Sequence, residues 1–154
     1  MESFDLVAMG GTFDVIHSGH MELLNKAFSI SSKVIIGLSS DQLATKKGKN
    51  LANDYSKRLS LLKSVIEKSF PNSVYEVSKL ENDFGPAVIE GSVKALVVSK
   101  ETSNKGLLLN KLRAERNLPS VKIVVVPMVL AEDGKSISTT RIKNSEIDDS
   151  GNLN

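Results

Sequence analysis

Short apolar runs alternate along this chain with stretches whose apolar residues recur at helical spacing. Leu6-Val7-Ala8-Met9 is a brief apolar run ended by Gly10-Gly11. Val34-Ile35-Ile36-Gly37-Leu38, Ala95-Leu96-Val97-Val98 and Lys122-Ile123-Val124-Val125-Val126 are β-branched and nearly continuous, the last stopped by Pro127. Continuous apolar runs predict strands covered on both faces, as in a parallel sheet. Val74-Tyr75-Glu76-Val77-Ser78 alternates instead, which predicts a strand nearer an edge. Between these runs lie helical stripes. Leu23, Leu24, Ala27 and Phe28 form one within His20 to Ile30, and Leu59, Leu62, Ile66 and Phe70 another within Ser56 to Phe70. A third helix is predicted from Leu107 to Glu115, ended by Asn117 and Pro119. A short one is predicted from Pro86 to Gly91. The alternation of strand and helix predicts an α/β fold built on a parallel sheet.

Composition narrows the classes. The length of 154 residues suits one domain, and 40% hydrophobic with 25% charged residues is enough for a core. There is no cysteine, which excludes disulfides, thiolate metal sites and cysteine nucleophiles. A formal charge of +2 gives no global field toward nucleic acid or membrane, and 5% aromatics gives little base-stacking surface. No apolar run is long enough to span a bilayer. Met1-Glu2-Ser3-Phe4-Asp5 is acidic rather than basic, so no secretory signal is expected and the expected location is cytoplasmic. The stretch 148–154 is polar and is expected to be a flexible tail after a domain over 1–147.

The candidate chemistry is concentrated in Gly10-Gly11-Thr12-Phe13-Asp14-Val15-Ile16-His17-Ser18-Gly19-His20, between the first strand and the first helix. In an open parallel sheet, ligands bind beyond the carboxyl ends of the strands. The double glycine permits close approach of backbone to a ligand, and a helix start aims unpaired N–H groups at the same place. No Gly-Lys-Ser/Thr follows, so this is not a P-loop. His17 and His20 are the chain's two histidines, spaced to share one helical face. With no thiolate and no acidic residue at metalloprotease spacing, phosphate binding fits them better than zinc.

This segment resembles the signature of nucleotidyltransferases that carry a His-x-Gly-His motif, here His17-Ser18-Gly19-His20 after Gly10-Gly11-Thr12-Phe13-Asp14. A second hallmark of that superfamily, a Ser/Thr-rich helix start, is matched by Ile137-Ser138-Thr139-Thr140-Arg141-Ile142. Asp83-Phe84-Gly85-Pro86-Ala87-Val88, Leu96–Thr102, Leu118–Pro127 and Leu130–Ser138 look like the archaeal and eukaryotic-type phosphopantetheine adenylyltransferase family. The resemblance implies a single Rossmann-like domain, a five-stranded parallel sheet with helices on both faces. It implies transfer of AMP from ATP, with Mg²⁺, to 4′-phosphopantetheine, giving dephospho-coenzyme A and pyrophosphate. The family's Ser-Ser-Thr-Arg-Ile-Arg stands here as Ser138-Thr139-Thr140-Arg141-Ile142-Lys143, which keeps the hydroxyls and moves the motif toward that of cytidylyltransferases.

Carried over position by position, the resemblance implies catalytic roles for His20, His17 and Lys47. It implies ATP contacts from Gly10, Gly11, Thr12, Phe13, His17, His20, Lys100, Glu101, Ser138, Thr139, Thr140 and Arg141. Thr12, Ser39, Lys46 and Lys47 are expected on the acceptor side, with Lys46, Lys47 and Lys49 read as one basic loop after the second strand. Arg58 is expected on the surface of its helix. Asn110 fits either a nucleotide-facing or an exposed position. No protein metal ligand is expected, and oligomeric state is left open. The rival readings are a cytidylyltransferase, an adenylyltransferase of FAD or NAD synthesis, and a non-catalytic nucleotide sensor.

Overall fold

In the computed structural model, residues 3–85 and 91–127 are described. The second motif at 137–142, the tail at 148–154 and most of the short helix expected at Pro86 to Gly91 lie outside them.

Five strands form one sheet: β1 (Val7–Gly11), β2 (Val34–Ser39), β3 (Tyr75–Leu80), β4 (Ala95–Ser99) and β5 (Lys122–Val126). Their order is β3-β2-β1-β4-β5. Every neighbouring pair is parallel, with Val7 opposite both Val34 and Ala95. The α/β fold with an all-parallel five-stranded sheet is therefore as the sequence predicted. β3 and β5 are the edge strands; the alternating pattern of β3 is in keeping with that, whereas β5, whose unbroken apolar run predicted cover on both faces, leaves Val125 46% exposed.

The continuous runs become intelligible from the two cores. Val7 and Met9 of β1, Val34, Ile36 and Leu38 of β2, and Ala95 and Val97 of β4 pack on one face with Leu24 and Ala27 of α1 (Ser18–Ser29) and Leu62 and Ile66 of α3 (Tyr55–Ser69). The intervening residues Ala8, Ile35, Leu96 and Val98 pack on the other face with Leu109 of α4 (Asn104–Glu115). Successive side chains of a strand point to opposite faces, so both must be apolar when both faces are covered. Leu24 is fully buried. Truncating such a leucine to alanine costs about 2–5 kcal/mol.

Several helix ends have a visible chemical cause. Asp54 caps α3 by accepting from the Lys57 N–H at 2.9 Å. Beyond α4, Asn117 adopts a left-handed φ of 57°, and the Leu118 N–H reaches back to the Arg113 carbonyl at 3.0 Å. The lysine-rich segment departs from expectation. Asp41–Lys46 is a short helix, α2, capped by Ser40, whose hydroxyl accepts from the Leu43 N–H at 3.0 Å. Lys46 ends that helix, Lys47 is its C-cap, and Gly48 follows at a φ of 81°.

The chain steps outward from β1 to β2 and β3, then crosses back to place β4 on the other side of β1. That reversal makes the carboxyl ends of β1 and β4 the topological switch point. Both the histidine turn and the Ser99 turn leave the sheet there.

Candidate active site at the switch point

The two histidines organise the start of α1 by capping it reciprocally. The His17 Nδ1 accepts from the Gly19 N–H at 3.1 Å, and the His20 Nδ1 accepts from the His17 N–H at 3.2 Å. This is a capping box made with imidazoles in place of Ser and Glu. A ring nitrogen that accepts a hydrogen bond carries no proton, so the network assigns the neutral Nε2–H form to both rings. Burial pushes the His17 imidazole down to about 4. Burial, then the charges of His17 and Lys49, push His20 down to about 3. Near neutral pH both side chains are uncharged donors through Nε2.

The rings form a stack. His17 and His20 lie 3.9 Å apart between centroids, and the tilted Phe13 ring lies 4.8 Å from that of His20. Phe13 is buried and sits at a φ of 49°, in the left-handed region that a bulky residue rarely occupies. Such backbone costs about 1–3 kcal/mol and persists only where surroundings hold it. Gly19 is required by space. A Cβ there would stand 2.9 Å from the His17 Cε1, so any side chain would displace the capping ring.

Arg58 supplies much of the support. The sequence reading put it on the surface, yet it is 0% exposed. Its Nη1 donates to the carbonyls of Thr12 at 2.9 Å and Ser39 at 2.8 Å. Its Nη2 donates to the Asp41 carboxylate at 2.7 Å, and its Nε to the Asn53 carbonyl at 3.2 Å. One guanidinium thus ties the end of β1, the end of β2, the start of α2 and the start of α3. The hydrogen bond from Arg58 holds the Asp41 carboxyl below the usual carboxylate range. Asp14 makes a second tie, accepting from the N–H groups of Ala52 at 2.8 Å and Asn53 at 2.9 Å.

The remaining expected residues gather around this turn to different degrees. Gly10 and Gly11 end β1, and Thr12 leads on into Phe13. Ser39 is buried, and its hydroxyl donates to the Gly11 carbonyl at 3.4 Å, bracing the two strand ends together. Lys46 is exposed at the end of α2, and Lys47 pairs with Asp83 at 2.5 Å. Lys49 is near enough to His20 to lower its basicity. Lys100 is exposed in a 3₁₀ turn, Lys100–Thr102, that also contains Glu101 and leaves β4 directly. The Thr102 hydroxyl shapes that turn by accepting from the Ser99 N–H at 3.2 Å. Asn110 is half-buried rather than exposed. It exchanges two hydrogen bonds with the Val121 backbone, at 3.1 and 2.7 Å, and fixes the entry to β5. Ser138, Thr139, Thr140 and Arg141 lie outside the described residues. Sequence reasoning missed Arg58 as the buried support of this turn.

The chain is similar to known proteins in sequence and in fold. The sequence profile of the cytidylyltransferase-like family matches residues 8–145. Phosphopantetheine adenylyltransferase of Methanosarcina barkeri is 42% identical over 150 residues, covering 96% of this chain and 91% of that protein. That of Pyrococcus abyssi is 38% identical over 154 residues, covering 99% and 97%. Among solved structures, a protein of unknown function from Archaeoglobus fulgidus matches with a TM-score of 0.72 at 28% identity, over 82% of this chain and 89% of its own.

Proposed function

The chain belongs to the cytidylyltransferase-like family, and from that premise we propose that it is a phosphopantetheine adenylyltransferase of coenzyme A synthesis. It transfers AMP from ATP to 4′-phosphopantetheine and releases pyrophosphate. The substrate assignment rests on relatives of that name matching nearly end to end. The observation that carries the chemistry is the reciprocal histidine cap. It leaves two uncharged Nε2–H donors beside a helix N-terminus at the switch point.

The reaction is an in-line displacement. An oxygen of the acceptor's phosphate attacks the α-phosphorus of ATP. The bond to the bridging oxygen breaks, and its electron pair leaves with pyrophosphate. No covalent intermediate or redox step is involved, so positioning and charge stabilisation supply the rate. His20 donates to the α-phosphate as charge develops, and His17 donates to the phosphate chain. The backbone of Gly10, Gly11, Thr12 and Phe13 lies against the reacting phosphates. Lys47 and Lys46 meet the acceptor's phosphate beside Thr12 and Ser39. Lys100 and Glu101 lie toward the nucleotide, and Ser138, Thr139, Thr140 and Arg141 hold the β- and γ-phosphates.

Mg²⁺ would accompany ATP as a phosphate-bound ion and would supply positive charge against the charge developing in the transfer, with no side chain of the turn needed to hold it. The donor set of the turn supports that arrangement: both histidines spend their Nδ1 lone pairs on backbone N–H groups and present N–H, not a lone pair, at Nε2. No helix among the described residues is long and apolar enough to cross a membrane, and we propose a cytoplasmic location.

Pyrophosphate release with ATP or CTP against a panel of phosphorylated acceptors tests the proposal. Turnover with ATP and 4′-phosphopantetheine is expected. Its absence, or preference for CTP and a polyol phosphate, overturns the assignment.

A further inference from the structure

Phe13 holds a backbone conformation that its side chain disfavours. A φ of 49° is ordinarily left to glycine, asparagine or aspartate. The turn folds the Phe13 ring back over Gly11, where a Cβ would stand 3.0 Å from its Cε2, and sets it beside the His20 ring at 4.8 Å. A strained turn persists only where its surroundings over-determine it.

The carbonyls of the residues on either side of Phe13 are both held from the region where α3 begins. The Thr12 carbonyl accepts from the Arg58 Nη1 at 2.9 Å. A trans peptide is planar, so its carbonyl and its N–H point in opposite directions. Holding the Thr12 oxygen therefore fixes the direction of the Phe13 N–H, away from Arg58. On the other side, the Asp14 carbonyl accepts from the Asn53 Nδ2 at 2.9 Å. The Asp14 carboxylate accepts from the Asn53 N–H at 2.9 Å and the Ala52 N–H at 2.8 Å. The Asn53 carbonyl in turn accepts from the Arg58 Nε at 3.2 Å. Asn53 thus grips Asp14 with side chain and main chain, and is joined to the arginine that grips Thr12. Together they close a bracket around Phe13.

The Asn53 amide is not spent on its own helix. Asp54, the next residue, already caps α3 by accepting from the Lys57 N–H. The Asn53 side chain reaches instead to a residue 39 positions earlier in the chain.

We propose that Asn53 is a positioning residue for the transfer reaction. With Arg58 it holds the left-handed turn that aims the Phe13 N–H at the phosphates and keeps the Phe13 ring beside His20. The proposal deepens the adenylyltransferase reading and rests on it for the identity of the reaction. The conformation of the turn does not depend on that reading.

Asn53→Ala and the near-isosteric Asn53→Asp test this against Asp54→Ala, by thermal unfolding, steady-state kinetics and NMR. The first removes the donor, the second sets a carboxylate against the Asp14 carbonyl, and the third removes the neighbouring helix cap. Asn53→Ala and Asp54→Ala are each expected to lower the thermal midpoint by about 2–4 °C. Asn53→Ala is expected to lower kcat about tenfold, and Asn53→Asp further, with the ATP KM changed less than about threefold. Asp54→Ala should keep kcat within about twofold. A positive φ brings a residue's amide proton close to its own Hα. Phe13 should therefore show a strong intraresidue NOE in the wild-type protein and in Asp54→Ala, and a weakened one in both Asn53 variants. The proposal is overturned if Asn53→Ala and Asp54→Ala change kcat equally, or if the Asn53 variants keep the NOE of the wild type. Failure of the wild-type protein to turn over ATP and 4′-phosphopantetheine sinks the functional reading instead, and the NOE still decides whether Asn53 holds the turn.

Discussion

Arg58 and Arg113 are both buried, at 0% and 3% exposure, and both project from helices that flank the sheet. They serve opposite ends of it. Arg113 donates to the carbonyls of Pro119 at 2.9 Å and Gly91 at 3.0 Å, in the loops that enter β5 and β4. Arg58 donates to the carbonyls of Thr12 and Ser39, where β1 and β2 end, and to the Asp41 carboxylate. Burying a cation is costly unless its donors are satisfied, and both arginines meet that condition largely with backbone oxygen. Their local chemistry is nearly the same, so burial and hydrogen bonding alone do not mark function. Position does. Loops at the amino end of a parallel sheet are architecture, whereas loops at the carboxyl end hold the reacting groups.

The widest separation between the two ends is expected from His20→Ala. Removing one preorganised donor to developing charge costs about 10²–10³ in rate. We expect kcat to fall by that factor while ATP affinity changes less than about tenfold, measured by turnover and by direct binding. A parallel fall in both would make His20 a ground-state binding residue.

The two arginines come next, as a matched pair. Arg58→Met and Arg113→Met each strand buried carbonyls, and each is expected to cost about 2–5 kcal/mol in urea unfolding. Their activities are expected to diverge. Per folded molecule, Arg113→Met should keep kcat within about twofold, because the Pro119 and Gly91 carbonyls it holds lie at the opposite end of the sheet from the histidine turn. Arg58→Met should lose about tenfold or more, because a misplacement of about 1 Å at the reacting groups is enough to do so. Equal kcat losses in the two variants would erase the distinction between the ends.

A smaller effect is expected at Gly19. Alanine is the better helix former by about 1 kcal/mol. Its Cβ would displace the His17 ring and forfeit a cap worth about 0.5–2 kcal/mol. These contributions nearly cancel, so the thermal midpoint of Gly19→Ala should barely move. Turnover should still fall several-fold, because the ring that contacts phosphate has been pushed aside.

Much of the frame was readable from residues. Strands covered on both faces write themselves as unbroken apolar runs, and the alternation of Val74 to Ser78 announced an edge strand. The histidine turn was readable because glycine, histidine and a helix start coincide within one short segment. α2 was not, because its six residues bury only Leu43 and Ala44, too few to show a period. Arg58 was misread because an arginine beside an apolar stripe looks like a solvated helix face. Its partners are mostly main-chain carbonyls, which no side-chain pattern encodes.

The mildest expectation concerns pH, and it sharpens the contrast because the chain's histidines both lie at the functional end. Their folded values, about 4 for His17 and about 3 for His20, lie below the ordinary 6.5. The unfolded chain therefore takes up protons that the folded chain refuses. The contribution to stability is complete above about pH 6.5 and is lost as pH falls from there toward the folded values. In that window each histidine adds a slope of up to about 1.4 kcal/mol per pH unit. Between pH 7 and 8 it adds nothing, so neither stability nor the protonation of the turn should change there. Ring ¹⁵N spectra of the free protein are the direct check. They should show unprotonated Nδ1 and protonated Nε2 on both rings, unchanged down to about pH 6. A ring that titrates near 6.5 would mean the reciprocal cap is open in solution. His20 would then meet ATP as a cation, and its contribution would be ground-state attraction rather than a donor held in place for the transition state.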